Sequence, residues 1–93
     1  MDFEWNPNKA RANLAKHGVD FEDAKAVFLD RNALIEVDDE LSEDRWRIIG
    51  TAGARATVLF VVYVEPDGDT IRIISARRAK RHEEDDYYRQ AHS

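Results

Sequence analysis

The residues with the clearest chemical potential lie in one basic stretch near the end of the chain. Residues 71–82 contain five Arg or Lys side chains and no acid, although the chain of 93 residues has a formal net charge of -5. A local positive field in an acidic protein indicates a binding site for phosphates or carboxylates. The alternative is a strand end with solvated charges and internal ion pairs. The five cations are Arg72, Arg77, Arg78, Lys80 and Arg81.

A second pair of arginines is expected to join this cluster. Arg45 and Arg47 are two residues apart, so both leave the same face of a predicted strand. We expect that strand to neighbour the long apolar one, which would bring the pair to Arg72 or Arg77. A planar guanidinium matches two phosphate oxygens and stabilises the charge that develops on a phosphate under attack. The alternative is pairing with the acids at residues 43–44.

Histidine is the side chain most able to exchange protons near neutral pH. His82 lies in the basic stretch, so it is the histidine that we expect to face an anionic ligand. His17 ends a predicted helix, where the helix dipole alone favours it. The three histidines lack metal-ligand spacing and the chain has no cysteine, so we expect neither a metal site nor a bound cofactor.

Length and composition predict one domain spanning residues 1–93. The chain is 43% hydrophobic and lacks cysteine, which fits folding without disulfides in the cytoplasm. The first residues carry acids and a proline where a signal peptide would be basic and then apolar. The longest nearly apolar stretch, residues 56–64, is too short to cross a bilayer as a helix. We therefore expect a cytoplasmic protein with no membrane segment.

The periodicity predicts an α+β fold. Asn6 caps a first helix that has Pro7 at its first position, Gly18 ends it, and Asp20 caps a second helix. Short turns join the last four strands, so we expect an antiparallel β-sheet packed with two N-terminal helices and a C-terminal helix. The expected strands are residues 3–5, 33–37, 45–51, 55–65 and 70–78, and the expected helices are residues 7–17, from 21 and from 79.

The strand at residues 57–64 is apolar at both parities, which predicts a central strand covered on both faces. In the following strand, simple alternation places Arg72 and Arg78 on one face and Ser75 and Arg77 on the other. One face must then open into a groove at the C-terminal end of this strand. Cations at the start of the final helix oppose its dipole, which favours their retention for a ligand.

Three motifs in series resemble those of the BrnT family of bacterial toxins over nearly the whole chain. They are FEWNPNK at residues 3–9, KHGV at 16–19 and IRIISAR at 71–77. The resemblance implies a RelE-like fold and a toxin of a type II toxin-antitoxin pair, a ribonuclease that stops translation. The single residues that add to the match include Asn13, Arg45, Glu83 and Tyr87.

The resemblance also implies partners and site residues. The implied partner is a BrnA-like antitoxin, a dimeric ribbon-helix-helix protein that forms a heterotetramer with the toxin and contacts operator DNA. Acidic side chains of this antitoxin are expected to cover the basic strand end. The catalytic residues implied for RNA cleavage are Arg45, Arg72, Arg77 and Glu83. The residues expected to bind RNA are Lys9, Arg47, Arg78, Lys80, Arg81 and His82.

The implied chemistry is RNA cleavage without a metal, in which the ribose 2′-OH attacks the neighbouring phosphate and cations stabilise the dianionic transition state. Asp67 stands before Gly68 where many relatives have arginine, so a weak or altered nuclease is expected. Arg77 is expected to be needed for activity but not for folding. The candidates for the general base are Tyr63, Glu65, Asp69, His82 and Glu83.

A non-catalytic function is the alternative. In that case the basic strand end docks an antitoxin or, as in ParE-like relatives of the fold, a protein target. The intact pair of Arg72 and Arg77 favours the nuclease, whereas Asp67 and the net charge of -5 favour the binding module.

Overall fold

The computed structural model describes residues 1–38, 44–53 and 56–92, so most of the acidic connection lies outside the described residues. Within these ranges the chain forms five strands and three α-helices. The strands are β1 (Asp2–Glu4), β2 (Leu34–Val37), β3 (Arg45–Ala52), β4 (Thr57–Val64) and β5 (Thr70–Arg78). The helices are α1 (Pro7–His17), α2 (Phe21–Ala24), which continues as a 3₁₀ helix (Lys25–Leu29), and α3 (Arg81–Ala91).

Local chemistry sets the ends of α1 as the sequence predicts. The Asn6 side chain accepts hydrogen bonds from the backbone N–H of Asn8 at 2.8 Å and of Lys9 at 3.2 Å. Pro7 follows at the first helical position, where its missing N–H costs nothing. Gly18 adopts a left-handed φ of 71° and donates its N–H to the Leu14 carbonyl, which ends the helix.

The sheet has the order β1-β5-β4-β3-β2, so β4 is the central strand, as predicted. β2, β3, β4 and β5 pair antiparallel, but β1 pairs parallel with β5. The prediction of an antiparallel sheet is therefore wrong for β1, and the sheet is mixed. Short turns dictate the direction of the later strands only. Both helices and three strands separate β1 from its partner β5, and so long a connection permits parallel pairing.

Two cores lie on opposite faces of the sheet. On the first face, Phe21, Ala24 and Val27 are fully buried, in one cluster with Ile48 and Val61. On the second face, Tyr87 of α3 packs in a smaller cluster with Ile49 and Val58. No helix in the described part of the chain is long and apolar enough to cross a bilayer. The RelE-like classification stays a prediction.

Asn13 fixes α1 to β5 near the end of the strand that carries the basic residues. Its side-chain amide donates to the Ala76 carbonyl at 2.7 Å and to the Val19 carbonyl at 3.1 Å. Its side-chain oxygen accepts from the Ala76 N–H at 3.1 Å. β1 pairs with β5 only as far as Arg72, so this side chain takes the place of a neighbouring strand at Ala76. Asn13 is buried, and its polar atoms are fully paired there.

Candidate functional site

The strand register gathers arginines on the second face of the sheet. Arg47 lies opposite Val62, and Val62 lies opposite Ser75. Two residues before Val62 in β4, Phe60 lies opposite Arg77 of β5. Opposite residues in an antiparallel pair share a face, so Arg47 and Arg77 project to the same side. α3 covers part of this face, where Tyr87 packs with Ile49 and Val58 and Phe60 lies against this cluster.

The uncovered part of this face forms a groove of about 600 Å³, here called the arginine groove. Its floor comes from the second face of β3, β4 and β5, and its wall from the first turns of α3. This confirms the expected groove at the C-terminal end of β5. Its charged, histidine and hydroxyl residues are Glu36, Asp38, Arg45, Arg47, Ser75, Arg77, Lys80, His82, Glu83 and Asp86.

Arg77 is held on both sides within the arginine groove. Its two terminal nitrogens donate to the two carboxylate oxygens of Glu83 at 2.8 and 2.9 Å. Its guanidinium carbon lies 4.1 Å from the centre of the Phe60 ring, which adds a cation–π contact. The side chains of Arg77 and Glu83 are only 25% and 12% exposed. This arrangement fixes the guanidinium plane over the floor of the groove.

Glu83 caps the start of α3 as well as pairing with Arg77. One of its oxygens accepts the Lys80 backbone N–H at 2.7 Å. Burial tends to raise the pKa of Glu83, but the hydrogen bonds from Arg77 and from the Lys80 backbone outweigh it and hold this pKa below its ordinary value. Glu83 is therefore an ionised carboxylate at neutral pH and a poor proton donor.

The other cations of the groove differ in how far they are neutralised. Arg47 pairs with Glu36 at 3.3 Å and lies 3.9 Å from Asp38. In contrast, no described residue forms an ion pair with Arg45 or Lys80. Among the described residues, an incoming anion therefore meets two cations without an acidic partner beside two that already contact acids.

A hydrogen-bond network that sequence reasoning missed anchors α3 to the sheet. The Tyr87 hydroxyl donates to Asp30 at 2.5 Å, and the same carboxylate oxygen accepts from the Thr51 N–H at 2.8 Å and the Thr51 hydroxyl at 3.0 Å. Burial raises the pKa of Asp30, but these bonds and one from the Asn32 N–H outweigh it and lower this pKa overall. Asp30 gave no sequence signal, since a single aspartate after a helix normally only caps a turn.

The expectation that five cations share one surface is wrong. A β-bulge leaves Ile74 unpaired, because Val62 lies opposite Ser75 whereas Tyr63 lies opposite Ile73. The extra residue reverses the alternation, so Arg72 projects to the face of Arg77 and not to that of Arg78.

Four of the predicted site residues lie outside the arginine groove. Arg72 contacts Glu4 at 2.5 Å at the β1 side of the sheet and lines a separate groove with Lys9. Arg78 lines a third groove with Glu22 and Asp23. Arg81 is exposed at the first position of α3. The structure therefore brings together Arg45, Arg47, Arg77, Lys80, His82 and Glu83, and it separates Lys9, Arg72, Arg78 and Arg81 from them.

Geometry also sorts the candidates for the general base. His82 and Glu83 line the arginine groove. Tyr63 belongs to the core of the first face, where burial and then the charge of Glu65 raise its pKa. Glu65 and Asp69 flank the turn between β4 and β5 and are not part of the groove lining.

Asp67 has a local structural role in that same turn. Its carboxylate accepts from the Asp69 N–H at 3.1 Å and from the Thr70 N–H at 2.9 Å. These two backbone hydrogen bonds are also the main reason that the pKa of Asp67 is lowered. Gly68 follows with a φ of 87°, a conformation that glycine adopts easily. The effect of Asp67 on activity stays a prediction.

Fold and groove together define a small α+β protein with a polar groove that is lined by four Arg or Lys side chains and four Asp or Glu side chains. The family described as "Ribonuclease toxin, BrnT, of type II toxin-antitoxin system" matches residues 5–83, and the chain belongs to this family. It is similar to the crystal structure of the ribonuclease toxin BrnT of Brucella abortus, with a TM-score of 0.70 and 25% sequence identity over 87% of this chain and 99% of that one. A comparison with curated proteins finds no match. The protein is therefore a toxin of the ribonuclease type, and its family implies an antitoxin partner.

Proposed function

We propose that the protein cleaves RNA in the arginine groove, without a metal, and thereby inhibits translation in the cytoplasm. The observation that carries the proposal is the convergence of Arg45, Arg47 and Arg77 on one sheet face, beside Lys80 and His82 of α3. Guanidinium groups match phosphate oxygens in pairs, and three of them on one sheet face suit the successive phosphates of an RNA backbone.

In this proposal the substrate phosphate lies between Arg45 and Lys80, the cations without an ion pair to a described residue. The ribose 2′-OH attacks the phosphorus, the 5′-oxygen leaves, and a 2′,3′-cyclic phosphate forms. Arg77 stabilises the charge that accumulates on the phosphate, and Glu83 positions Arg77. His82 is the proton carrier that we favour, because it lines the groove and an imidazole both accepts and donates protons.

A direct test is incubation of the purified protein with RNA in EDTA, followed by analysis of the new ends. We expect 2′,3′-cyclic phosphate or 3′-phosphate ends, and His82→Ala should slow their formation. Cleavage that requires a divalent metal and leaves 5′-phosphate ends would contradict this mechanism. Growth arrest on expression, relieved by the adjacent antitoxin gene, tests the link to translation.

A second candidate function is a ParE-like binding module that docks an antitoxin or a protein target. It is favoured by the internal neutralisation of the groove, where Arg77 pairs with Glu83, and Arg47 with Glu36. Growth arrest without RNA cleavage, by a protein that is folded and free of antitoxin, would support this alternative. With either function, we propose that the antitoxin is of the BrnA-like type. We also propose that it forms a heterotetramer with the toxin and contacts operator DNA.

A further inference from the structure

The outward backbone groups of β2 make this edge of the sheet available for pairing. The Asp38 N–H donates to the Arg45 carbonyl at 2.9 Å, and Val37 lies opposite Trp46. Hydrogen-bonded and non-hydrogen-bonded pairs alternate along an antiparallel ladder. Ile35 and Val37 therefore turn their N–H and C=O groups away from β3. In the part of the chain that is described, no backbone hydrogen bond from outside the sheet reaches these two residues.

The opposite edge of the sheet is protected, whereas no described strand pairs with the outer edge of β2. β1 has only three residues, two of which are the acids Asp2 and Glu4, and short charged edges resist pairing with other chains. Asn13 occupies the edge of β5 at Ala76, beyond the end of β1. β2, in contrast, presents two large apolar side chains that are 57% exposed at residue 35 and 51% exposed at residue 37.

The side chains around β2 specify the chemistry of a pairing strand. Ile35 and Val37 lie on the first face of the sheet, beside Ile48 and Trp46. Residues of an added strand opposite them would share that face and should be apolar. Glu36 projects to the second face, where its side chain is 53% exposed. Glu36 already pairs with Arg47 at 3.3 Å, so an added basic side chain would share this carboxylate, whereas an added acid would be repelled by it.

The sequence after β2 strengthens this charge preference. Residues 38–44 include five acids, and the whole chain has a formal net charge of -5. Such a field accelerates association with a basic segment and slows association with an acidic one. A second copy of this chain is a poor occupant, because both copies carry the same acidic stretch and like charges would approach each other.

We propose that β2 pairs with an extended segment of a partner polypeptide in which apolar and basic side chains alternate. The source to which we assign this segment is the antitoxin that the family implies, so the proposal rests on the toxin-antitoxin assignment and not on RNA cleavage. Backbone hydrogen bonds supply the pairing, and alternate side chains supply the specificity. A strand in this position would lie beside Glu36, which lines the arginine groove.

The test is an NMR titration of the full chain with a short capped peptide in which valine and lysine alternate. We expect the peptide to shift the amide signals of Ile35 and Val37 first. Ile35→Pro removes an outward N–H and leaves the bonds between β2 and β3 in place, so it should weaken binding about tenfold. Leu29→Ser is the control, because Leu29 is 80% exposed but lies outside the sheet, and it should bind like wild type.

Two variants of the peptide test the pairing on the wild-type protein, so they apply even if Ile35→Pro unfolds. A peptide with alternating valine and glutamate should bind more weakly, and equal binding would overturn the proposal. A peptide with N-methylated backbone amides should lose binding, and full retention would likewise overturn it. A dimer of the chain that Ile35→Pro dissociates would assign the edge to a second copy. Absence of RNA cleavage with intact peptide binding would contradict the proposed function alone.

Discussion

Arg77 and Glu83 face each other in a two-point ion pair, with nitrogen–oxygen distances of 2.8 and 2.9 Å. The pair joins the C-terminal end of β5 to the first turn of α3 and lies against Phe60. Arg77 is thus neutralised within the free protein, so a phosphate in the groove must draw it from Glu83 or bind beside the pair. We therefore expect Arg77 to contribute to stability as well as to activity, unlike the expectation from sequence.

A double-mutant cycle measures the structural share of this pair. Arg77→Ala leaves the Glu83 carboxylate without its main partner, so we expect the free energy of unfolding to fall by about 1–3 kcal/mol. Removing Glu83 as well should cost less than the sum of the single changes, because the second change removes a group that is already unpaired. Urea denaturation of wild type, both single variants and the double variant gives the coupling energy. If the loss in the double variant equals the sum of the two single losses, the ion pair contributes nothing to stability.

The pH dependence of stability should report Glu83 and Asp30. Both have a pKa lowered in the folded protein, from ordinary values of 4.5 and 3.8. Such a carboxyl contributes stability above its unfolded pKa, and the contribution is lost as the pH falls through its folded pKa. We expect the melting temperature to drop as the pH is lowered from above 4.5. Glu83→Gln should make this drop shallower, and an unchanged pH profile would contradict the role of Glu83.

The anchor of α3 can be tested with two adjacent tyrosines. Tyr87→Phe removes the hydroxyl that donates to Asp30, so we expect a loss of about 1–2 kcal/mol in unfolding free energy. Tyr88→Phe is the matched control, since Tyr88 is 41% exposed and should tolerate the change. Chemical denaturation of both variants makes the comparison. Equal effects would mean that the hydroxyl of Tyr87 does not anchor the helix.

Asn13 should be far more important for stability than its position on a mostly exposed helix suggests. Asn13→Ala leaves the N–H and C=O of Ala76 without partners in a buried position, at an expected cost of about 2–3 kcal/mol. Asn8→Ala changes an exposed asparagine of the same helix and should cost much less. Thermal melting of the two variants distinguishes them. A similar small drop in melting temperature for both would contradict the role of Asn13 as the hydrogen-bond partner of the β5 edge.

The two faces of the sheet should differ in their effect on RNA cleavage. Arg45→Ala removes a cation of the arginine groove, and we expect cleavage to slow by at least about tenfold. Arg78→Ala removes a cation beside Glu22 and Asp23 in the separate groove, and cleavage should stay near the wild-type rate. Initial rates on one RNA substrate at constant salt compare the variants. A larger loss for Arg78→Ala would move the substrate to the first face.

The sequence by itself determined the local elements and the family. Asn6, Pro7 and Gly18 set the ends of α1, because caps and left-handed turns depend on adjacent residues. The apolar run of β4 predicted a central strand, since burial on both faces requires apolar side chains at both parities. Motifs in series along the chain led to the BrnT family, which the match over residues 5–83 confirms.

Only the tertiary structure decided which residues meet in the groove. The bulge at Ile74 reverses the alternation of β5 and so separates Arg72 from Arg78, although nothing in the spacing of the strand signals an extra residue. Asp30 bonds to Tyr87 across 57 positions and Asn13 to Ala76 across 63, and such partners meet only once the sheet has formed. Local propensity is encoded by neighbours in the chain, whereas side-chain convergence depends on register, which long-range packing sets.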